Sequence, residues 1–133
     1  MFPLLDEIVN RQKPEKEKII FEVGKKKVKF LIDDIQCVLS DNKYTILILR
    51  DGREQRCRIT FSYIYALLER YNRFLLCNRG ILLNMDYIET IHGDSFCLKN
   101  QKRFPIRQKD KKNIIEIFQD YQFSKLDQQE VFF

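Results

Sequence analysis

Residues Phe74 to Asn84, FLLCNRGILLN, constrain this chain more than any other stretch. Two apolar segments, Phe74-Leu75-Leu76 and Ile81-Leu82-Leu83, bracket the polar pair Asn78-Arg79 and one glycine. Apolar runs this short, cut once and then resumed, suit a buried β segment that breaks and returns. Gly80 supplies the break, because it enters positive φ without steric cost. Arg79 then stands at the rim of a rigid scaffold. Its planar five-donor fork matches a phosphate or a guanine edge. An arginine at a strand end also reads as a solvated edge residue.

A period of two governs most of the chain outside that stretch. Ile19, Phe21 and Val23 share one strand face, and Val28, Phe30 and Ile32 share the next. The basic turn Lys25-Lys26-Lys27 joins them as a hairpin. Asp33-Asp34 reads as a turn with Asp33 as its cap. A carboxylate pair can also hold Mg²⁺, but neighbours in a turn more often cap backbone N–H groups. Ile35 to Leu39 reads as a strand, Ser40 to Lys43 as a loop, and Tyr44 to Arg50 as a strand buried on both faces. Asp51-Gly52 is a hairpin signal. The return strand, Arg53 to Ile59, puts Gln55, Cys57 and Ile59 on one side and Glu54, Arg56 and Arg58 on the other.

Thr60 to Asn72 has a helical period: Phe61, Ile64, Tyr65, Leu68 and Tyr71 form one stripe, with Thr60 as N-cap. After Asn84, short strands are expected over Asp86 to His92, Phe96 to Lys99 and Arg103 to Ile106, with turns at Gly93-Asp94 and Asn100-Gln101. Gln108 to Tyr121 reads as a second helix with Ile114, Ile117, Phe118 and Tyr121 on its apolar face. About nine short strands and two helices point to an antiparallel sandwich or stacked sheets.

The 133 residues suffice for one domain with a real core. Residues 1–18 read as a preface: Leu4, Leu5, Ile8 and Val9 at helical spacing after Pro3, then a charged linker. Residues 19–122 form the domain, and 123–133 a loosely held tail. The N-terminus lacks a basic segment followed by a long apolar core, and no run reaches the ~18–20 residues of a bilayer span. Neither secretion nor membrane insertion is expected, and the cytoplasm is the expected compartment. The four cysteines are evenly spaced but share no context and form no CxxC pair. They read as small buried thiols in a reducing compartment.

Enzyme signatures are missing. There is no GxGxxG or P-loop pattern, and His92, the sole histidine, cannot build a metal set alone. It reads as a solvated imidazole beside a turn. Ser62 and Ser95 lack a nucleophile's context. No catalytic residue, metal or cofactor is assigned, and the chain is not expected to be an enzyme. The charge is more informative: 24 Lys+Arg oppose 19 Asp+Glu, net +5, with a pI near 9.0 and 13% aromatic residues. Such a domain favours an anionic partner, usually nucleic acid. Lys99, Lys102, Arg103, Arg107, Lys109, Lys111 and Lys112 are opposed over that segment only by Asp110. They run into the start of the last helix, where cations oppose the macrodipole and free N–H donors suit phosphate. A solvated basic face is the bland alternative.

The order of these segments resembles the LytTR family, the DNA-binding output domain of many bacterial response regulators. The likeness covers Ile19 to Tyr121. Its stations are Asp33-Asp34-Ile35, the strand from Tyr44 with Ile46 to Asp51-Gly52, the helix with Leu67-Leu68, and a block F-x-R-x-H-R-S-x-x-x-N met by Phe74 to Asn84 and followed by Ile88. A final L-P-V-S-R is met by Phe104-Pro105-Ile106-Arg107-Gln108, with Lys109 directly after. The family's Arg, His and Ser in the block are here Leu76, Asn78 and Gly80, while Arg79 is kept.

The resemblance implies a mostly β fold of elongated antiparallel sheets, about ten short strands with one internal and one C-terminal helix. It implies a sequence-specific, double-stranded DNA-binding transcriptional regulator of a two-component system, reading the major groove through loops. By position the contact candidates are Lys43 or Tyr44 in the first loop, Arg79 in the central block, and Arg107, Gln108 or Lys109 in the last loop. Asn78 replaces the family's His, and an Asn side chain suits adenine. The partners implied are DNA direct repeats holding two copies, and a homodimer on DNA. No receiver domain fits in this length, so control is expected from a regulatory partner protein, or the chain is a fragment of a longer regulator. Arg79 and the Arg107–Lys109 corner are expected on one side, apart by a span that a duplex fills. One rival is a protein-interaction module on the same scaffold that has lost DNA binding. Leu76, Asn78 and the tail Val131-Phe132-Phe133 favour it. Single-stranded RNA binding needs aromatics on an open sheet face, and Phe21, Phe30 and Phe96 face the core by alternation.

Overall fold

The computed structural model describes residues 17–23 and 25–130. The preface helix expected around Leu4 to Val9 and the tip Val131-Phe132-Phe133 lie outside the described residues. The described residues form ten strands: β1 (Lys18–Val23), β2 (Lys26–Leu31), β3 (Ile35–Asp41), β4 (Tyr44–Leu49), β5 (Glu54–Cys57), β6 (Phe74–Asn78), β7 (Ile81–Asn84), β8 (Ile88–His92), β9 (Ser95–Leu98) and β10 (Arg103–Pro105). Two α-helices join them, α1 (Phe61–Leu68) and α2 (Lys111–Glu130). Every strand pair is antiparallel. The fold is the mostly β arrangement expected from the sequence.

The strands make a central five-stranded sheet ordered β5-β4-β3-β7-β6, a β1-β2 hairpin, and a three-stranded sheet ordered β10-β9-β8. The central sheet carries a core on each face. Val38, Leu47, Leu49 and Leu82 pack with Phe21 and Phe30 of the hairpin and Ile64 and Leu68 of α1. Cys37, Ile48, Leu75 and Leu83 pack with Phe96 and Leu98 of the outer sheet and Ile114 and Phe118 of α2. Leu47 and Ile48, neighbours on opposite faces, are 0% and 1% exposed. A strand covered on both sides must be apolar at consecutive positions, which is why β4 reads as a continuous run. All four cysteines are buried and free.

Several local expectations change. Asp33 does not cap: the 3-10 turn Ile32–Asp34 has no side-chain cap bond. The Asp33 carboxylate pairs with Arg73, and its carbonyl accepts from the Tyr87 hydroxyl at 2.6 Å. Strand β3 runs through Ser40 to Asp41, so the first loop shrinks to Asn42-Lys43, with Asn42 at φ 56. Helix α1 ends at Leu68, four residues early, because the next turn carries Tyr71: Tyr71 N–H reaches the Leu68 carbonyl and Phe74 N–H the Tyr71 carbonyl. Thr60 caps it as expected, accepting from Tyr63 N–H at 3.3 Å. Helix α2 continues past Tyr121 to Glu130, through residues with no Gly or Pro to stop it. Asp86 anchors that extension, taking the Tyr121 hydroxyl and the Lys125 ammonium, each at 2.6 Å. Ile117, expected on the apolar face, is exposed; α2 meets the sheet through Ile114, Ile115, Phe118 and Tyr121.

Candidate nucleic-acid interface

Strand register decides which turns share an end. In the central sheet Asp41 pairs with Tyr44, Leu39 with Ile81, Thr45 with Cys57, and Asn78 with Ile81. The Asn42-Lys43 turn, the Arg79-Gly80 turn and the Arg56–Arg58 segment therefore emerge together. The Asp51-Gly52 turn and Asn84 lie at the other end.

Backbone hydrogen bonds lock the central turn in place. Gly80 adopts φ +70, and Ser40 N–H donates to its carbonyl at 2.9 Å. Asn78 accepts from Arg79 N–H at 2.8 Å and donates through Nδ2 to the Pro105 carbonyl at 3.1 Å. Arg107 N–H donates to the Cys77 carbonyl at 2.9 Å. The last loop is thus stitched directly to the central block. Arg79, Arg107, Asn78 and Asp110 line one cleft of about 550 Å³. Arg79 is exposed and, among the described residues, pairs with no carboxylate. Arg107 is 3.8 Å from Asp110, and Gln108 and Lys109 are exposed in the 3-10 turn before α2.

Arg79 and the Arg107 corner do share a side, but no duplex-wide gap separates them. The breadth comes from the sheet. From β6 to β5 there are four strand intervals, roughly 19 Å at ~4.8 Å each. That exceeds the ≈ 12 Å width of a major groove. Lys43 is exposed at the far turn, and Tyr44 is half-buried. The Arg56 guanidinium lies 4.2 Å from the Tyr44 ring centroid and 3.2 Å from Asp41. Arg56 was legible only as an outward residue of an alternating strand. Its position diagonal to Tyr44 is what brings it to this end.

The basic run from Lys99 to Lys112 is not one patch. Lys102 lies 3.8 Å from Glu54 at the opposite end, and Lys99 N–H donates to the Tyr87 carbonyl there. Lys111 pairs with Asp94, and its hydrogen bond holds that carboxyl below the usual range. Arg107, which lines the cleft with Arg79, and Lys109, exposed in the turn directly after it, are the members that stay with the gathered loops. Among the described residues no three His, Cys, Asp or Glu side chains are grouped to hold a metal ion. No described helix is long and apolar enough to cross a membrane.

The family model of the LytTr DNA-binding domain matches residues 25–119. The chain belongs to the LytTR family. The LytTR fold is seen again in a solved domain from Bacillus cereus, the LytTr DNA-binding domain of a protein described as a methyl-accepting/DNA response regulator. That structure superposes with a TM-score of 0.64 over 77% of this chain and 97% of the other, at 15% identity. Among curated proteins no sequence matches this LytTR domain. Its loop side chains must therefore be judged from its own geometry.

Proposed function

We propose that this LytTR domain binds double-stranded DNA with sequence preference and regulates transcription in the bacterial cytoplasm, as an output module of two-component signalling. One observation carries the reading: Arg79, on a turn fixed by two backbone hydrogen bonds and two from the Asn78 side chain, is exposed beside Arg107 with no carboxylate partner among the described residues. A guanidinium held out by a rigid frame is ready for bidentate contact with a guanine edge or a phosphate. Arg79 and Gln108 are the base-reading candidates. Lys43, Arg107 and Lys109 neutralise phosphates and release counterions, which supplies affinity. Tyr44 holds Arg56 at the same surface through its ring face. Asn78 acts first as a positioning residue, because its oxygen and one amide hydrogen are used inside the protein. The family setting supports two copies on direct repeats and control by a partner protein.

The test is a duplex selected from random sequences, bound by wild type and Arg79→Ala over a salt series. Base reading predicts a loss of about 1–3 kcal/mol in discrimination at one position. Phosphate contact alone predicts equal weakening on all sequences. Unchanged affinity on selected and random duplexes removes Arg79 from the site. A second reading, a protein-interaction module without DNA binding, is favoured by Leu76 and Ile117, which are exposed along the same cleft. It predicts no steep fall of log affinity with log salt, where DNA binding loses ~0.9 per phosphate contacted.

A further inference from the structure

We infer that the β1-β2 hairpin is a separate phosphate clamp that grips duplex backbone beside the stretch contacted by the gathered loops; this rests on the DNA-binding reading above. The hairpin carries Lys18, Lys25, Lys26, Lys27 and Lys29, all exposed, against the single acid Glu22. None of the five forms an ion pair among the described residues. Glu22 faces Lys27 across the strands without closing to a salt bridge. Lys27 and Lys29 share one strand face, ~6.6 Å apart along it. Like charges at this density repel each other and weaken a hairpin of its own accord.

The orientation of the hairpin gives these charges a direction. Its open end is tied at the side away from the loops: Ile32 N–H donates to the Glu17 carbonyl at 2.9 Å, and Glu17 lies 3.5 Å from Arg73. Strands of six residues then carry the chain toward the opposite end. Lys27 lines a groove of about 710 Å³ with Arg58, Ile59 and Tyr63. Arg58 follows Cys57, at the end where Lys43 and Arg79 emerge. Thr45 fixes that segment by donating its hydroxyl to the Ile59 carbonyl at 2.6 Å. Tyr63, 56% exposed, adds a phenol to the groove. The lysine-bearing tip therefore flanks the loop end on the β5 side of the sheet, with Arg58 bridging the two. The family match begins only at residue 25, so β1 lies outside it.

Edge strands also carry lysine to block pairing with other chains. The experiment separates these roles. Wild type, the triple variant Lys25→Gln/Lys26→Gln/Lys27→Gln, the matching triple Lys→Arg variant and Arg79→Ala are titrated with a selected duplex over a salt series. A phosphate clamp predicts that the Gln triple flattens the log–log salt slope by up to about 0.9 per lysine, while base preferences stay unchanged. The Arg triple keeps the slope. Trimming the duplex on the clamped flank removes the difference between wild type and the Gln triple. An unchanged slope in the Gln triple, with Arg79→Ala still weakening binding, overturns the clamp and leaves the loop reading intact. Aggregation of the Gln triple with an unchanged slope assigns the lysines to edge protection and also overturns it. A wild type that shows no salt-dependent duplex binding sinks both.

Discussion

Gly80→Ala tests the frame that holds Arg79. Gly80 sits at φ +70, and a Cβ built there falls 2.8 Å from the Ser40 Cβ. Placing an L-residue in the left-handed region costs ~1–2 kcal/mol. The clash adds to that, because both Cβ atoms are fixed to backbone and no rotamer change relieves them. Ser40 N–H also bonds the Gly80 carbonyl, so moving apart strains the β3–β7 junction. Overpacking of this kind costs roughly 1–3 kcal/mol. The total is about 2–5 kcal/mol. Gly93 is the internal control: φ is +61 and nothing lies within 4 Å of its built Cβ. Gly93→Ala should cost only the ~1–2 kcal/mol backbone part. Urea unfolding curves with equal slopes give the difference from the midpoints. Adding Ser40→Gly removes the clashing atom, so the excess at Gly80 should vanish in the double-mutant cycle. Equal costs at Gly80 and Gly93, or no recovery in the Ser40→Gly background, would refute the close-approach reasoning. Below its melting range Gly80→Ala should also bind DNA more weakly, because the strain is relieved by displacing Arg79.

Two further outcomes follow from the buried and paired groups. Burial pushes Asp86 up, but the hydrogen bonds from Lys125 and Tyr121 more than reverse this and hold it below its ordinary value of 3.8. A depressed carboxyl contributes stability above its unfolded value and loses it as the pH falls toward the folded one. Wild type should therefore lose urea resistance below about pH 4 faster than Asp86→Asn, and parallel curves would contradict this. Burial raises the Cys37 and Cys77 thiols to about 12, and the Cys77 thiol donates to the Pro105 carbonyl at 3.1 Å. Neither should react with a disulfide reagent until the chain unfolds; fast native labelling of either at mildly alkaline pH would show that the core opens there.

What the sequence made legible was local. The period of two in β1 and β2, the continuous apolar run of β4, the stripe on α1 and the break at Gly80 each depend on neighbours a few residues away. What it hid was non-local. Asn78 and Pro105 are 27 residues apart, and only the fold reveals that one holds the other. Lys111 looked like part of a cationic run until Asp94, 17 residues earlier, came within reach. Lys99 and Lys102 left the site because the β9–β10 turn lies at the end away from the loops. Arg56 joined it through the β4–β5 register, which no spacing in the sequence states. The length of α2 was missed for another reason: past Tyr121, Phe123 and Leu126 are exposed rather than packed on the sheet, and Asp86 supplies an anchor instead.

Asn78 shows how such a frame tolerates change in what it presents. It stands where the family block has a histidine, and it spans the joint between two loops. Its oxygen fixes the Arg79 backbone, and its amide fixes Pro105, two residues before Arg107. Ser40 and Gly80 tie the same turn to the end of β3 that leads into the first loop, and Arg107 ties the last loop to Cys77. Three segments far apart in sequence are thereby one hydrogen-bonded unit before any ligand arrives. Ordering them at the moment of binding would consume interaction energy, so a pre-formed unit leaves more of it for affinity. It also uncouples the frame from its message. Backbone bonds do not depend on which side chains stand at positions 43, 79, 108 and 109, so those residues can vary what is read while the spacing across the sheet stays fixed.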